Sequence, residues 1–178
     1  MRFISGVHKG RKINLPKNLN IRPTTDLSKE SLFNILNNTF DFSNISFLDL
    51  FSGSGSISFE FASRGCKKIT SVDINHNATK FIKSISDQLE LGINYIKSDT
   101  MRFINNSEKN FDIIFADPPY NYNIEMYEEL IVNLFENNIL KNNGMIVIEH
   151  SKKNTLVSII NYKETREYGG CCFSFFYI

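Results

Sequence analysis

The chain has 178 residues, 42% of them hydrophobic and 22% charged, which fits one globular domain that buries roughly 70% of its unfolded surface and folds without disulfides or a structural metal. No apolar run approaches the ~20 residues of a membrane span, and the polar and basic residues after Met1-Arg2-Phe3-Ile4-Ser5-Gly6 exclude a signal-peptide core, so a cytoplasmic protein with no membrane partner is expected. The net charge of +1 conceals a basic end on a mildly acidic body, because residues 1–30 hold Arg2, Lys9, Arg11, Lys12, Lys17, Arg22 and Lys29 against only Asp26 and Glu30.

Residues 1–22 read as a small hairpin: Phe3 and Ile4 lead, Gly6 and Gly10 punctuate, and Lys12-Ile13-Asn14-Leu15 returns before Pro16. A basic arm of this kind suits either a solvated face or a phosphate-binding surface. Thr24, Thr25 or Asp26 then caps a helix with apolar positions Leu27, Leu32, Phe33, Ile35 and Leu36, fraying at Asn37-Asn38. From residue 45 onward the pattern predicts strands at 45–50, 68–73, 93–97, 111–116 and 145–149. Helices at 56–64, 75–91, 100–106 and 123–137 fall between them, two of them stopped by Gly65 and Gly92. This alternation argues a parallel sheet covered on both faces. Segments 159–165 and 173–178, separated by Gly169-Gly170, break the rhythm and predict a terminal antiparallel pair. The expected organisation is a basic arm, 1–22, on an α/β domain, 23–178.

Cys66, Cys171 and Cys172 show no C-x-x-C spacing and read as small buried hydrophobes. His8, His76 and His150 lie in unrelated segments, and no metal site is expected.

Ligands of open α/β sheets bind beyond the carboxyl ends of the strands, so the residues after each strand carry the functional information. The first strand runs into Asp49-Leu50-Phe51-Ser52-Gly53-Ser54-Gly55. Its paired glycines permit a tight turn and aim the amides of the next helix at a ligand, although a plain structural turn would look the same. A dinucleotide fingerprint would place a third glycine at Ser58, which counts against a nicotinamide or flavin cofactor. Asp73 ends the second strand, where a carboxylate can take both hydroxyls of a ribose. Ser98-Asp99 ends the third, where the acid can accept from an adenine amine; each acid could equally be a helix cap. Together the three strand ends describe a nucleoside site without a pyrophosphate loop.

The fourth strand ends in Asp117-Pro118-Pro119-Tyr120. Two prolines stiffen the loop, leaving the Asp117 carboxylate and the Pro118 carbonyl as neighbouring acceptors beside the Tyr120 ring. That set suits a planar group bearing an NH2, with two acceptors for its hydrogens and a ring to stack on its face.

Asp-Pro-Pro-Tyr after a strand, with Asp49-Leu50-Phe51-Ser52-Gly53-Ser54-Gly55 upstream, resembles the S-adenosylmethionine-dependent methyltransferases that modify exocyclic amines of bases. Within that class the chain is similar to the RsmD family, the 16S rRNA guanine-966 N2-methyltransferases. The likeness also runs through Ile4-Ser5-Gly6, Lys9-Gly10-Arg11, Arg22-Pro23-Thr24-Thr25-Asp26, Lys29-Glu30-Ser31-Leu32-Phe33-Asn34 and Ser63-Arg64-Gly65. Ser52 stands where the family usually has alanine, and Gly170-Cys171-Cys172 replaces its usual continuation after Tyr168-Gly169.

The resemblance implies a class I, Rossmann-like methyltransferase fold: a seven-stranded, mostly parallel sheet with a terminal antiparallel strand and a small N-terminal hairpin. It implies S-adenosylmethionine as cofactor, without a metal, held by Arg22, Thr24, Thr25, Asp49, Phe51, Ser52, Gly53, Gly55, Asp73, Ile74, Asp99 and Thr100. It implies catalysis by Asp117, Pro118 and Tyr120, and RNA contact through Arg2, Lys9, Arg11 and Lys12. The expected substrate is 16S rRNA within a small-subunit particle, met by a monomer. Alternatives are a DNA adenine-N6 or cytosine-N4 methyltransferase, for which the chain has no room for a target-recognition domain, and a non-catalytic RNA-binding protein on the same fold.

Overall fold

The computed structural model describes residues 1–16, 19 and 24–177. Thr25 opens the main body: its hydroxyl accepts from the Ser28 N–H and caps helix α1, Asp26–Leu36, with Asp26 inside the first turn. The chain then alternates through β1 (Ser46–Leu50), α2 (Ser56–Ser63), β2 (Lys68–Asp73), α3 (His76–Leu89), β3 (Asn94–Lys97), α4 (Thr100–Asn106), β4 (Phe111–Ala116), α5 (Ile124–Glu136) and β5 (Leu140–His150). β6 (Tyr162–Tyr168) and β7 (Cys171–Phe176) complete it. Asn75, Asp99 and Asn123 cap α3, α4 and α5 by taking their free amides, whereas α2 starts from Gly55 with no side-chain cap. No helix among the described residues is long and apolar enough to cross a membrane.

One seven-stranded sheet forms in the order β3-β2-β1-β4-β5-β7-β6. β1 to β5 are parallel, and β7 pairs antiparallel with both β5 and β6. The fold expected from the sequence is therefore the one observed, with β5 starting earlier and β6 lying later than the apolar pattern indicates. The reason for the inner place of β7 lies in composition. Cys172-Phe173-Ser174-Phe175-Phe176 is buried throughout, whereas β6 alternates charged, half-exposed residues that keep a sheet edge from pairing with other chains.

Strand alternation divides the core in two. Phe47, Ile113, Val147, Phe173 and Phe175 meet Leu32, Phe33, Leu36, Ile57, Phe61 and Ile82 from α1 to α3. Leu48, Leu50, Ile114, Ala116, Ile146 and Ile148 meet Ile104, Leu130, Ile131 and Leu134 from α4 and α5. Phe47 and Phe61 stack with centroids 3.7 Å apart.

The N-terminal hairpin closes within residues 1–13. Phe3 N–H donates to the Arg11 carbonyl and Ile13 N–H to the Met1 carbonyl, both at 3.0 Å. Phe3 and Ile13 belong to the same core as Phe33 and Phe61. The docking is polar as well: Ile4 and Ser5 N–H donate to the two carboxylate oxygens of Glu60 at 2.8 and 2.9 Å. Gly6 sits so close to α2 that a Cβ there would lie 1.8 Å from the Ser63 carbonyl oxygen.

Candidate active site

Because β1 to β5 are parallel, their carboxyl ends open on one edge of the sheet. After β1 the backbone enters the left-handed region three times in five residues, at Phe51 (φ 57°), Gly53 (51°) and Gly55 (72°). That coils the chain tightly onto the start of α2. Phe51 accepts a conformation costing an L-residue roughly 1–2 kcal/mol, and its ring lies edge-on to Tyr122 at 5.6 Å. Gly55 has no alternative, since a Cβ would stand 2.8 Å from Ile82 Cγ1. Ser52 N–H reaches the Val72 carbonyl at 3.0 Å, while its hydroxyl is buried without a partner among the described residues.

Asp49 lies beneath this loop and holds it from below. Its carboxylate accepts from Ser58 N–H at 3.2 Å and Ser58 Oγ at 2.5 Å, and Ser58 shares a further bond with Ser71 Oγ at 2.6 Å. The position where a dinucleotide fold would need glycine is thus a buried hydroxyl tied to β1 and β2. Burial pushes the Asp49 carboxyl up to about 7. Its ordinary value is 3.8, so the folded state holds more protons than the unfolded chain between those limits, and stability falls as pH rises through them. The Tm of the protein without added ligand is expected to fall from about pH 5 to about pH 7.5, and to fall less in Asp49→Asn. An equal slope in both proteins would show that Asp49 ionises without cost.

Asp73 ends β2, taking Gly53 N–H at 2.7 Å and Asn75 N–H at 2.8 Å. Its two oxygens are therefore fixed in place and still hold accepting capacity. Ile74 beside it is 67% exposed, an apolar surface at the mouth of the site. Asp99 is exposed, caps α4 through Arg102 N–H at 3.0 Å and is followed by buried Thr100. Capping occupies one of its oxygens, so the cap and ligand readings of this acid coexist.

Asp117 follows β4 with its N–H directed at the Leu50 carbonyl, 3.4 Å away. Pro118 is buried, and Tyr122 N–H closes the turn on the Pro119 carbonyl at 2.9 Å. Tyr120 is 85% exposed, its ring face open. Burial, then the charges of Glu149 and Asp49, hold the Asp117 carboxyl well above the usual carboxylate range.

Glu149, near the end of β5, has no assigned role in the sequence reading. It is buried, its carboxyl is raised chiefly by burial, and Thr24 Oγ1 donates to its Oε2 at 2.9 Å. The rule applied to the first four strands, to read the acid after each apolar run, would have found it after Met145-Ile146-Val147-Ile148. Thr24 is thereby committed to Glu149 and Thr25 to capping α1, while Arg22 lies outside the described residues. On the arm, Lys9, Arg11 and Lys12 are exposed, and Arg2 pairs with Asp26 at 3.2 Å. Cys66 and Cys172 are buried, as the sequence predicts, whereas Cys171, at the start of β7, is only half-buried; burial pushes the Cys66 thiol up to about 11.

The family model described as conserved hypothetical protein 95 matches residues 1–177. Ribosomal RNA small subunit methyltransferase D of Buchnera aphidicola (subspecies Baizongia pistaciae) is 35% identical, over 90% of this chain and 80% of that protein. The chain belongs to the RsmD family. The Haemophilus influenzae protein of the same name is 34% identical, over 94% of this chain and 87% of its own length. Among solved structures, Escherichia coli yhhF superposes with a TM-score of 0.84 at 27% identity, covering 99% of this chain and 96% of that one. The RsmD resemblance of the motifs thus extends along the whole described fold.

Proposed function

We propose that this protein transfers a methyl group from S-adenosylmethionine to the exocyclic N2 amine of a guanine in small-subunit ribosomal RNA. The observation that carries the reading is the pair of acceptors at the end of β4: a half-buried Asp117 carboxylate and the carbonyl of buried Pro118, in a loop stiffened by two prolines and flanked by an open Tyr120 ring. The relatives named for ribosomal RNA small subunit methylation supply the substrate class.

The residues present fit the cofactor. The coiled loop 51–55 offers close backbone approach and an unpartnered Ser52 hydroxyl, Asp73 would take ribose hydroxyls, Ile74 would cover a purine face, and Asp99 would face the adenine amine. When bound, the cofactor would supply an electrophilic methyl on a cationic sulfur, and that charge suits a site edged by the Asp117 carboxylate. A cavity of about 460 Å³ at the opposite, amino edge of the sheet has no comparable equipment; there Lys141 and Ser46 are already bonded to Asp112.

A guanine N2 lone pair is delocalised into the ring, so the amine is a poor nucleophile. Asp117 and the Pro118 carbonyl accept its two hydrogens, favour a pyramidal nitrogen and stabilise the positive charge that grows there. Holding the amine at attack distance lowers the barrier by up to ~7–11 kcal/mol. The new N–C bond would form as the methyl's bond to the cationic sulfur breaks, leaving a neutral thioether; one N–H proton must then be released, and the raised proton affinity of Asp117 suits it to receive that proton. Tyr120 stacks on the base, which must leave its neighbours to enter and does so most easily in unpaired RNA.

The test is incubation with methyl-labelled S-adenosylmethionine and, separately, unmodified small-subunit particles, naked 16S rRNA and unmethylated DNA, followed by identification of the labelled nucleoside. N2-methylguanosine from the rRNA samples alone supports the proposal, whereas N6-methyladenine in DNA overturns it. The arm 1–22 is assigned to RNA contact on its charge. Reversing Lys9, Arg11 and Lys12 is expected to lower the slope of log affinity against log salt by about 2–3, and an unchanged slope would place the RNA surface elsewhere.

A further inference from the structure

Two acceptors and an aromatic ring hold an NH2 group without telling one base from another, because adenine and cytosine carry such a group too. Selection of guanine needs a partner for something guanine alone offers beside its amine. On its Watson–Crick edge guanine places the N1–H donor next to the N2 amine; the ring nitrogen in the corresponding place of adenine, cytosine or 2-aminopurine is a bare acceptor.

The sheet register puts a second carboxylate beside Asp117. Ala116 of β4 pairs with Ile148 of β5, so Asp117 and Glu149 are the next residues on adjacent parallel strands, roughly 4.8 Å apart in backbone spacing. Phe115 and Val147, two residues earlier in the same register, enter one common core cluster, and strand alternation returns Asp117 and Glu149 to that face. The upward pull of the Glu149 charge on the Asp117 carboxyl accords with that register. Glu149 takes the Thr24 hydroxyl on Oε2, while an ionised carboxylate accepts about four hydrogen bonds. The Cys171 thiol is a second neighbour of this carboxyl, which still leaves capacity for a further donor.

We propose that Glu149 accepts the N1–H of the target guanine, so that Asp117, Pro118 and Glu149 together read the N1–N2 edge and the site selects guanine over other amine-bearing bases. This rests on the guanine-N2 reading above. A base with a bare nitrogen at that place would set its lone pair against a buried carboxylate, leaving neither group satisfied.

The test compares small-subunit particles assembled from rRNA carrying guanosine or 2-aminopurine at the methylated position. The second base keeps the N2 amine and lacks N1–H. Wild-type kcat/KM is expected to favour guanosine by about 10²-fold or more. In Glu149→Gln the amide can turn an N–H toward the bare nitrogen, and the preference is expected to shrink at least about tenfold, with binding of S-adenosylhomocysteine by calorimetry near the wild-type value. Thr24→Val removes the hydroxyl bond but keeps the carboxylate, and should preserve the preference. An unchanged preference in Glu149→Gln, or an equal collapse in Thr24→Val, overturns the proposal. So does a wild-type preference below about tenfold, which decides the matter even if the glutamine variant fails to bind cofactor. A failure of the guanine-N2 reading itself would look different: wild-type enzyme would label some nucleoside other than N2-methylguanosine, and the Glu149 proposal would fall with it.

Discussion

Asp117→Ala is expected to lower kcat by about 10²–10³-fold, the loss found when one preorganised hydrogen-bond partner of a developing charge is removed. S-adenosylhomocysteine should still bind, because the loop 51–55 and Asp73 are held by Asp49, Ser58 and backbone amides rather than by Asp117. Asp117→Asn keeps one accepting oxygen and should fall between alanine and wild type. Single-turnover rates with saturating cofactor make the comparison. An alanine variant retaining more than about a tenth of the rate, a loss under ~1.4 kcal/mol, would remove Asp117 from the reaction. The acid limb of the pH profile carries independent information. Burial, Glu149 and Asp49 raise the proton affinity of Asp117, so the accepting, ionised form is reached only at higher pH than for an ordinary carboxyl. Activity should therefore rise with pH through that raised range, as the titration of the Asp117–Glu149 pair rather than of either residue alone.

The second large effect is on stability. Glu60 is fully buried and takes Ile4 and Ser5 N–H, Arg64 Nε at 2.9 Å and, at 3.9 Å, the buried Lys29 ammonium. Lys29 also donates to the Arg2 carbonyl at 2.6 Å, so the pair staples the hairpin onto α1 and α2. Burial lowers the Lys29 pKa while Glu60 raises it. Glu60→Ala leaves a buried ammonium without its counter-charge and two amides without acceptors, and should cost about 3–5 kcal/mol. For a chain of this size that corresponds to a Tm roughly 10 °C lower. Thermal unfolding, with amide exchange at Ile4 and Ser5, checks it. A loss under about 1 kcal/mol would show that the hairpin is held by Phe3 and Ile13 alone. Undocking also displaces Lys9, Arg11 and Lys12, so this variant should weaken RNA binding without touching the carboxylates at the strand ends.

Most of the fold could be read from the chain. The five parallel strands and their helices announce themselves because β1, β4 and the apolar part of β5 are buried on both faces, and continuous runs such as Ile113-Ile114-Phe115-Ala116 arise for that reason. The apolar pattern starts β6 three residues early. Its charged, half-exposed edge gives no apolar signal, whereas Ile159 imitates a strand start while packing from a turn into the core under α5. Asp73, Asp99 and Asp117 are legible because each stands within two residues of the end of β2, β3 or β4. Glu149 belongs to the same series but gives no separate signal, since β5 continues to His150 and the acid looks like one more strand residue.

The sequence by itself determined the alternation of strands and helices, the glycine-bearing turn at 51–55, the acceptor pair at Asp117-Pro118 and the basic arm, because each depends on local residue chemistry at short spacing. Only the tertiary structure decided that β7 inserts between β5 and β6, that Glu60 anchors the hairpin across more than fifty residues, and that Glu149 stands beside Asp117. Those facts depend on strand order and register, which emerge when separate segments compete to bury the same apolar surface.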